Sequence, residues 1–396
     1  MAGPLQGIRI LDLTSVVMGP FATQILAELG AEVIKIEPHE GDNMRHVGPL
    51  RHAGMGHLCI NLNRGKRCIV LDLKKPDALE AMMRLVRSAD VLVYNVRPSA
   101  MARLKLSYDE VSAANPRLLY VGCYGYSERG PYAGRAAYDD LIQGATGLPW
   151  MISEGGKETP RYVPINLADR ITGLHVVYAV SAALFARERA GKGQAVEVPM
   201  FESIAHFVLG DHLAGLSWQP AIGPTGYPRL MHRRPYATRD GYLCVLVYND
   251  KQWKSFLEAV GRTDLWEDAR FNTHGMRAQH IDEVYDVLAE IMKTRTSAQW
   301  MELLARADIP FSRMNSPEDV VADRHLNESG FFVAEDHPSE GRLRAMRTPT
   351  HWSLSEPDMP TPAPRLGEHS RALLREIGYS DAEIEGMAAS GATLLG

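Results

Sequence analysis

Short apolar runs alternate with helix-spaced apolar positions along the first half of the chain. Ile8–Leu13 is a continuous apolar run and predicts a buried strand. Pro20 then opens a helix, with Ala22, Ile25, Leu26 and Leu29 at helical spacing and Gly30 as the stop. Val33–Ile36 is the next strand, so the three pieces predict a βαβ unit with a right-handed crossover. The alternation recurs. Cys68–Leu73 reads as a strand, Leu79, Met82, Met83 and Val86 mark a helix, and Val91–Tyr94 and Leu118–Val121 are further strands. A long helix over Ala168–Arg187 carries many small residues and predicts close packing deep in its domain. Gly191–Gln194 ends it in a turn, Ala195–Val198 reads as a strand, and helix resumes at Met200.

The fold class this predicts is α/β, with a doubly wound Rossmann-like large domain and a smaller α+β domain. The large domain is expected over 1–200 and 365–396 and the small one over 227–340. Linkers are expected over 201–226 and 341–364, where Gly, Pro and basic residues gather. Tyr242–Val247 predicts a strand of the small domain. Trp253–Val260, Ile281–Met292 and Ser297–Ala305 predict its helices. The last helices, from Ser370 and Asp381, are expected to pack back on the large domain.

Composition narrows the function. The net charge of -5 provides no bulk attraction to nucleic acid or anionic lipid, so neither is expected as a partner. Cys59, Cys68, Cys123 and Cys244 form no CxxC pair and no zinc spacing, which predicts inert thiols in a reducing cytoplasm. No metal site is expected from the histidines. The start lacks a secretory pattern, and Val176–Ala186, the most apolar segment, is far short of the roughly 20 residues of a membrane span. A cytoplasmic protein is expected.

Several chemistries lose support. After the first strand the chain reads Thr14-Ser15-Val16-Val17-Met18-Gly19-Pro20, with one glycine where GxGxxG requires three. That weighs against an NAD-dependent dehydrogenase. There is no Walker lysine loop, no HExxH and no GxSxG; Gly125-Tyr126-Ser127-Glu128-Arg129-Gly130 misses the last by one residue.

What the chain does carry is an ordered set of segments. They include Pro4-Leu5 with Gly7-Ile8 and Asp12, Gly19-Pro20, Gly30–Glu37, Gly41-Asp42, Asn63-Arg64 with Lys66-Arg67, and Leu71–Lys74. Asn166–Asp169, Gly191 with Gly193-Gln194, Asn249-Asp250 with Gln252-Trp253, and Leu366–His369 complete it. In this order the chain resembles the class III CoA-transferases, the family of formyl-CoA:oxalate and carnitine CoA-transferases, over nearly its whole length.

That resemblance implies an enzyme that moves coenzyme A from an acyl-CoA donor to a carboxylic acid acceptor. It implies an aspartyl-acyl anhydride and an aspartyl-CoA thioester on Asp169, with no cofactor beyond CoA and acyl-CoA as substrates. It also implies an interlocked homodimer. The residues agree with the role: Asp169 falls in the first turn of the predicted helix, where the helix N-terminus is expected to lower its pKa. Matching positions imply CoA contacts by Val16, Met18, Lys74, Asn95, Val96, Arg103, Tyr138 and Met200. Lys74 and Arg103 suit the phosphates of CoA. Formyl-CoA transferases carry basic residues where this chain has Pro38 and Ala136, with His39 and Arg135 next to them. A glycine-rich run before Tyr242 is absent, which removes the reason to expect an oxalate lid. Arg45, Arg51 and His52 are candidates for gripping a second substrate carboxylate.

Three rivals remain on sequence. An α-methylacyl-CoA racemase shares the fold but needs a His-Asp pair, and Tyr138 precedes Asp139 where the His is expected. Tyrosine, with a pKa near about 10, is a poor base at neutral pH. A non-catalytic acyl-CoA-binding protein would not need Asp169. The dehydrogenase is weakened as above.

Overall fold

The computed structural model describes residues 3–396, the Arg229 side chain excepted. They divide into two compact units. The first takes the chain up to Pro149, then Arg161–Val208 and Gly330–Gly396; the second takes Trp150–Pro160 and Leu209–Ser329.

The first unit is built on six parallel strands: β1 Arg9–Leu13, β2 Glu32–Glu37, β3 Lys66–Val70, β4 Val91–Tyr94, β5 Leu119–Tyr124 and β6 Ala195–Pro199. Their order across the sheet is β3-β2-β1-β4-β5-β6. Order reverses between β1 and β4, and in open α/β sheets that switch opens a crevice at the carboxyl ends of the strands. Ile10, Leu11, Ile34, Ile69, Leu92 and Val121 are fully buried, which is why these strands read as unbroken apolar runs. Helix Pro76–Ser88 covers one face with Ala78, Ala81, Met82, Leu85 and Val86, and Leu373, Leu374, Ile384 and Met387 of the two C-terminal helices join the same cluster. Helices Met18–Glu28 and Leu167–Ala190 pack together, and a Cβ on Gly173 would come within 2.9 Å of the Met18 carbonyl.

Two boundaries differ from the sequence reading. The first helix begins at Met18 rather than Pro20. The third strand begins at Lys66 rather than Cys68, in register with Val33. Its end comes at Val70, so Leu71–Lys74 turn away from the sheet and line the crevice.

A hairpin of Phe332–His337 with Gly341–Met346 has no counterpart in the sequence reading. Its buried positions include Glu335 and His337, while the Phe332 and Val333 side chains are only half-buried, so the usual alternation is inverted. Each buried residue has a partner at one atom: Arg64 donates to Glu335 Oε2 at 2.9 Å, and His337 Nε2 lies 2.8 Å from the Ala363 carbonyl.

The second unit carries a three-stranded antiparallel sheet, β7 Tyr236–Ala237, β8 Tyr242–Val245 and β9 Phe311–Arg313. Trp253, Phe256, Phe271, Leu288 and Trp300 fill its own core. No helix among the described residues is long and apolar enough to cross a membrane.

Candidate active site

The loop after β1 is held in place by buried charge. Lys35 donates to the Thr14 carbonyl at 2.9 Å and to Asp42 Oδ2 at 3.2 Å. Asp42 in turn accepts the Val16 N–H at 3.2 Å. Asn95 takes the residue between: its Oδ1 accepts Ser15 N–H at 3.0 Å and its Nδ2 donates to Ser15 O at 2.7 Å. Thus the backbone from Thr14 to Val16 is clamped from two sides. Val16 sits at φ 71°, a left-handed conformation that is strained for a β-branched residue and needs such support. Gly19 is required nearby, because a Cβ there would lie 2.3 Å from the Thr14 side chain. Beneath the loop Asp12 pairs with Lys66 at 2.9 Å. Burial pushes the Lys66 amine down to about 8 against the pull of Asp12.

The crevice beside this loop has a volume of about 410 Å³ and is lined by Ser15, Pro38, Asp42, Lys74, Val96 and Leu104, among others. Lys74 and Val96 therefore share one cavity, and Asn95 fixes its wall. Lys74 and Arg103 are exposed. Neither side chain makes a hydrogen bond or ion pair among the described residues, so both cations are open to an anionic ligand. His39 bonds the Gly391 carbonyl at 2.9 Å, and Arg135 lies 4.1 Å over the Tyr132 ring.

Asp169 stands in the first turn of helix Leu167–Ala190 and is 9% exposed. Its backbone N–H donates to Asp139 Oδ2 at 2.9 Å. The other Asp139 oxygen accepts Gln143 Nε2 at 2.6 Å, and Gln143 Oε1 accepts the Val163 N–H at 2.9 Å. Both oxygens of Asp139 are therefore acceptors, a role that an ionised carboxylate fills and an amide cannot. The carboxyl of Asp169 itself carries no hydrogen bond among the described residues.

Electrostatics at Asp169 run opposite to the expectation from helix position. Burial, then the facing Asp139 charge, push its carboxyl up to about 7, against the opposing pull of Arg170. Desolvation outweighs the helix terminus here, and Asp139 already occupies one of the terminal N–H groups.

Of the remaining candidates, Tyr138 directly precedes Asp139 and is 67% exposed, while Met200 is buried at a helix start. Phe201 N–H donates to the Gly125 carbonyl at 2.9 Å, and a Cβ on Gly125 would meet Ala137 at 2.2 Å, so the 125, 137 and 201 segments converge. The three candidates for a substrate carboxylate all have protein partners. Arg45 is 1% exposed and donates to Glu37 at 2.6 and 2.9 Å. Its partner responds: burial raises the Glu37 carboxyl, but the Arg45 hydrogen bonds and the Lys35 charge outweigh it and hold it at about 2. Arg51 donates to the Glu340 carbonyl, and His52 Nδ1 lies 3.1 Å from the Glu340 carboxylate. Arg45 is thus paired within the core, and Arg51 and His52 tie the 51–52 loop to the β-hairpin. Asp139 and Gln143 are site residues that the sequence reading does not single out. The one clue to them is their spacing of four on a single helix.

Fold and site together define an α/β enzyme with a ligand crevice at the carboxyl edge of a parallel sheet. The chain belongs to CoA-transferase family III, whose family model matches residues 5–370, and it is a CoA-transferase. It is 32% identical over 417 residues to the formyl-CoA:oxalate CoA-transferase of Escherichia coli O157:H7, covering 98% of this chain and 99% of that protein. It is 30% identical over 394 residues to the succinyl-CoA:glutarate CoA-transferase of Mus musculus, covering 98% of this chain and 90% of the relative. The crystal structure of a CaiB/BaiF family protein from Brucella suis superposes with a TM-score of 0.80 at 29% identity, covering 95% of this chain and 100% of that one.

Proposed function

We propose that this CoA-transferase works through covalent chemistry on Asp169. The observation that carries the proposal is a buried carboxyl with no hydrogen bond, raised to about 7, at the start of a long helix. In the first step the Asp169 carboxylate attacks the donor thioester carbonyl. The C–S bond breaks, CoA leaves as thiolate, and an aspartyl-acyl anhydride forms. The thiolate then attacks the Asp169 acyl carbon and expels the donor acid as carboxylate, leaving an aspartyl-CoA thioester. An acceptor carboxylate attacks that thioester and releases the thiolate, which takes the acyl group from the new anhydride. New acyl-CoA and free Asp169 result. The steps balance without a proton, a metal or a redox cofactor.

The environment favours this path. Ionised Asp169 is disfavoured by burial and by Asp139, whereas anhydride and thioester are neutral at that atom, so acylation relieves the repulsion. The strained Val16–Met18 loop lies at the N-terminus of the helix that packs on Leu167–Ala190, and in this reading its backbone N–H groups stabilise the developing oxyanions. Lys74, Arg103, Asn95 and Val96 take CoA along the crevice, with Tyr138 and Met200 flanking the thioester end.

The active form in this reading is a homodimer. Leu174, Tyr178 and Phe185 form an exposed apolar stripe at helical spacing on Leu167–Ala190, and Phe207 is 59% exposed. An apolar surface of this kind is what a second copy would cover. The function is tested by CoA exchange between labelled succinate and succinyl-CoA. Wild type should catalyse it and Asp169→Asn should not; equal rates would refute the covalent role.

A further inference from the structure

Arg170 is an arginine without an ion pair. It follows Asp169 in the helix, is only partly exposed, and its guanidinium lies 4.8 Å over the Phe21 ring. Its side chain makes no hydrogen bond or ion pair among the described residues. The buried arginines of the same unit are paired: Arg45 with Glu37, Arg64 with Glu28 and Glu335, Arg187 with Asp90. A half-buried guanidinium with no protein acceptor keeps its donors free to meet the anion of a ligand in place of water. The ring beneath it anchors the guanidinium by a cation–π contact and occupies none of its N–H donors.

We propose that Arg170 is a specificity-determining residue, holding the far carboxylate of a dicarboxylic acid while the near carboxylate reacts at Asp169. The proposal rests on the Asp169 reading and deepens it by naming the substrate class. Charge through the cycle argues for it. At rest, Arg170 offsets part of the negative charge of Asp169. When Asp169 becomes an anhydride or a thioester, it is neutral and Arg170 loses its nearest counter-charge. A diacid restores that charge through the carboxylate that does not react; a monoacid of equal length does not. Burial also lowers the Arg170 pKa, as for a cation awaiting an anion in a poorly solvated place.

The test is binding without turnover. Calorimetry with succinate and with butyrate, in the presence of CoA, is run on wild type, Arg170→Met and Arg170→Lys, with thermal melts to show that each is folded. Arg170→Met keeps the stem on Phe21 and removes the charge. Wild type should favour succinate by roughly tenfold to a hundredfold, the range of a charge-assisted hydrogen bond. Arg170→Met should bring succinate to the butyrate level, and Arg170→Lys should retain part of the preference. Equal binding of both acids by wild type, or a preference that survives in Arg170→Met, would overturn the proposal. If Arg170→Met does not fold, Arg170→Lys decides: an unchanged preference there overturns it as well. Failure of the covalent reading would show separately, as absence of any acyl label on Asp169 in wild type.

Discussion

The carboxylate of Asp139 accepts the backbone N–H of Asp169 at 2.9 Å, so one acid caps the helix that presents the other. The contact does two things at once. It fixes the first turn of Leu167–Ala190, and it sets a negative charge against the Asp169 carboxyl.

A pH profile follows. Attack needs the ionised carboxylate, so kcat/KM should rise with pH until it levels above about 7. Asp139→Asn removes the facing charge and should move the midpoint to lower pH. It also sets an amide N–H against one of two donors, so kcat should fall by roughly tenfold to a hundredfold, the equivalent of one lost buried hydrogen bond. An unshifted midpoint would show that Asp139 does not act on Asp169.

Stability should move in the opposite direction. The folded-state pKa of Asp169 lies above its ordinary value of 3.8, so between that value and about 7 the folded state binds more protons than the unfolded one. Stability from this group is therefore full below about pH 4 and is lost as pH rises to about 7. Asp169→Asn escapes that loss and should be more stable than wild type at pH 8, by up to about 4 kcal/mol for a carboxyl carried from 3.8 to about 7. Melting temperatures at pH 5 and pH 8 check this, with the gain expected mainly at pH 8.

Arg45 offers a contrast with Arg170. Arg45→Met leaves Glu37 buried and unpaired and should destabilise the protein by about 3–5 kcal/mol, read by urea unfolding. Its preference between succinate and butyrate should be that of wild type. A normal melting curve with altered acid preference would reverse the two assignments.

Asp42 tests the loop. Asp42→Asn removes one of the counter-charges of Lys35 and weakens the hold on Val16 N–H. The CoA dissociation constant should rise at least several-fold, whereas Asp169→Ala should bind CoA normally. Unchanged CoA affinity in Asp42→Asn would separate the clamp from ligand binding.

The parallel sheet is legible in the sequence because strands buried on both faces are apolar throughout. Ile8–Leu13, Val33–Ile36 and Val91–Tyr94 all overlap observed strands. The long helix and Asp169 in its first turn are legible too. Three features are not. Arg45 reads as a candidate for a substrate carboxylate until the fold brings Glu37 beneath it. Asp139 lies thirty residues before Asp169 and reaches it only through tertiary packing. The hairpin at 332–346 buries its polar face, so its alternation points the wrong way. Position on a helix suggests a depressed Asp169 pKa; burial and Asp139, neither visible in one dimension, reverse the sign.

The central claim is that Asp169 becomes acylated, and trapping tests it most directly. Wild type is incubated with succinyl-CoA and hydroxylamine, digested, and its peptides are weighed by mass spectrometry. The account predicts inactivation that depends on succinyl-CoA, with a hydroxamate on the peptide containing residue 169, and no label in Asp169→Ala, whose transfer rate should fall by several orders of magnitude. A label on another residue, or near-normal transfer by Asp169→Ala, would contradict it.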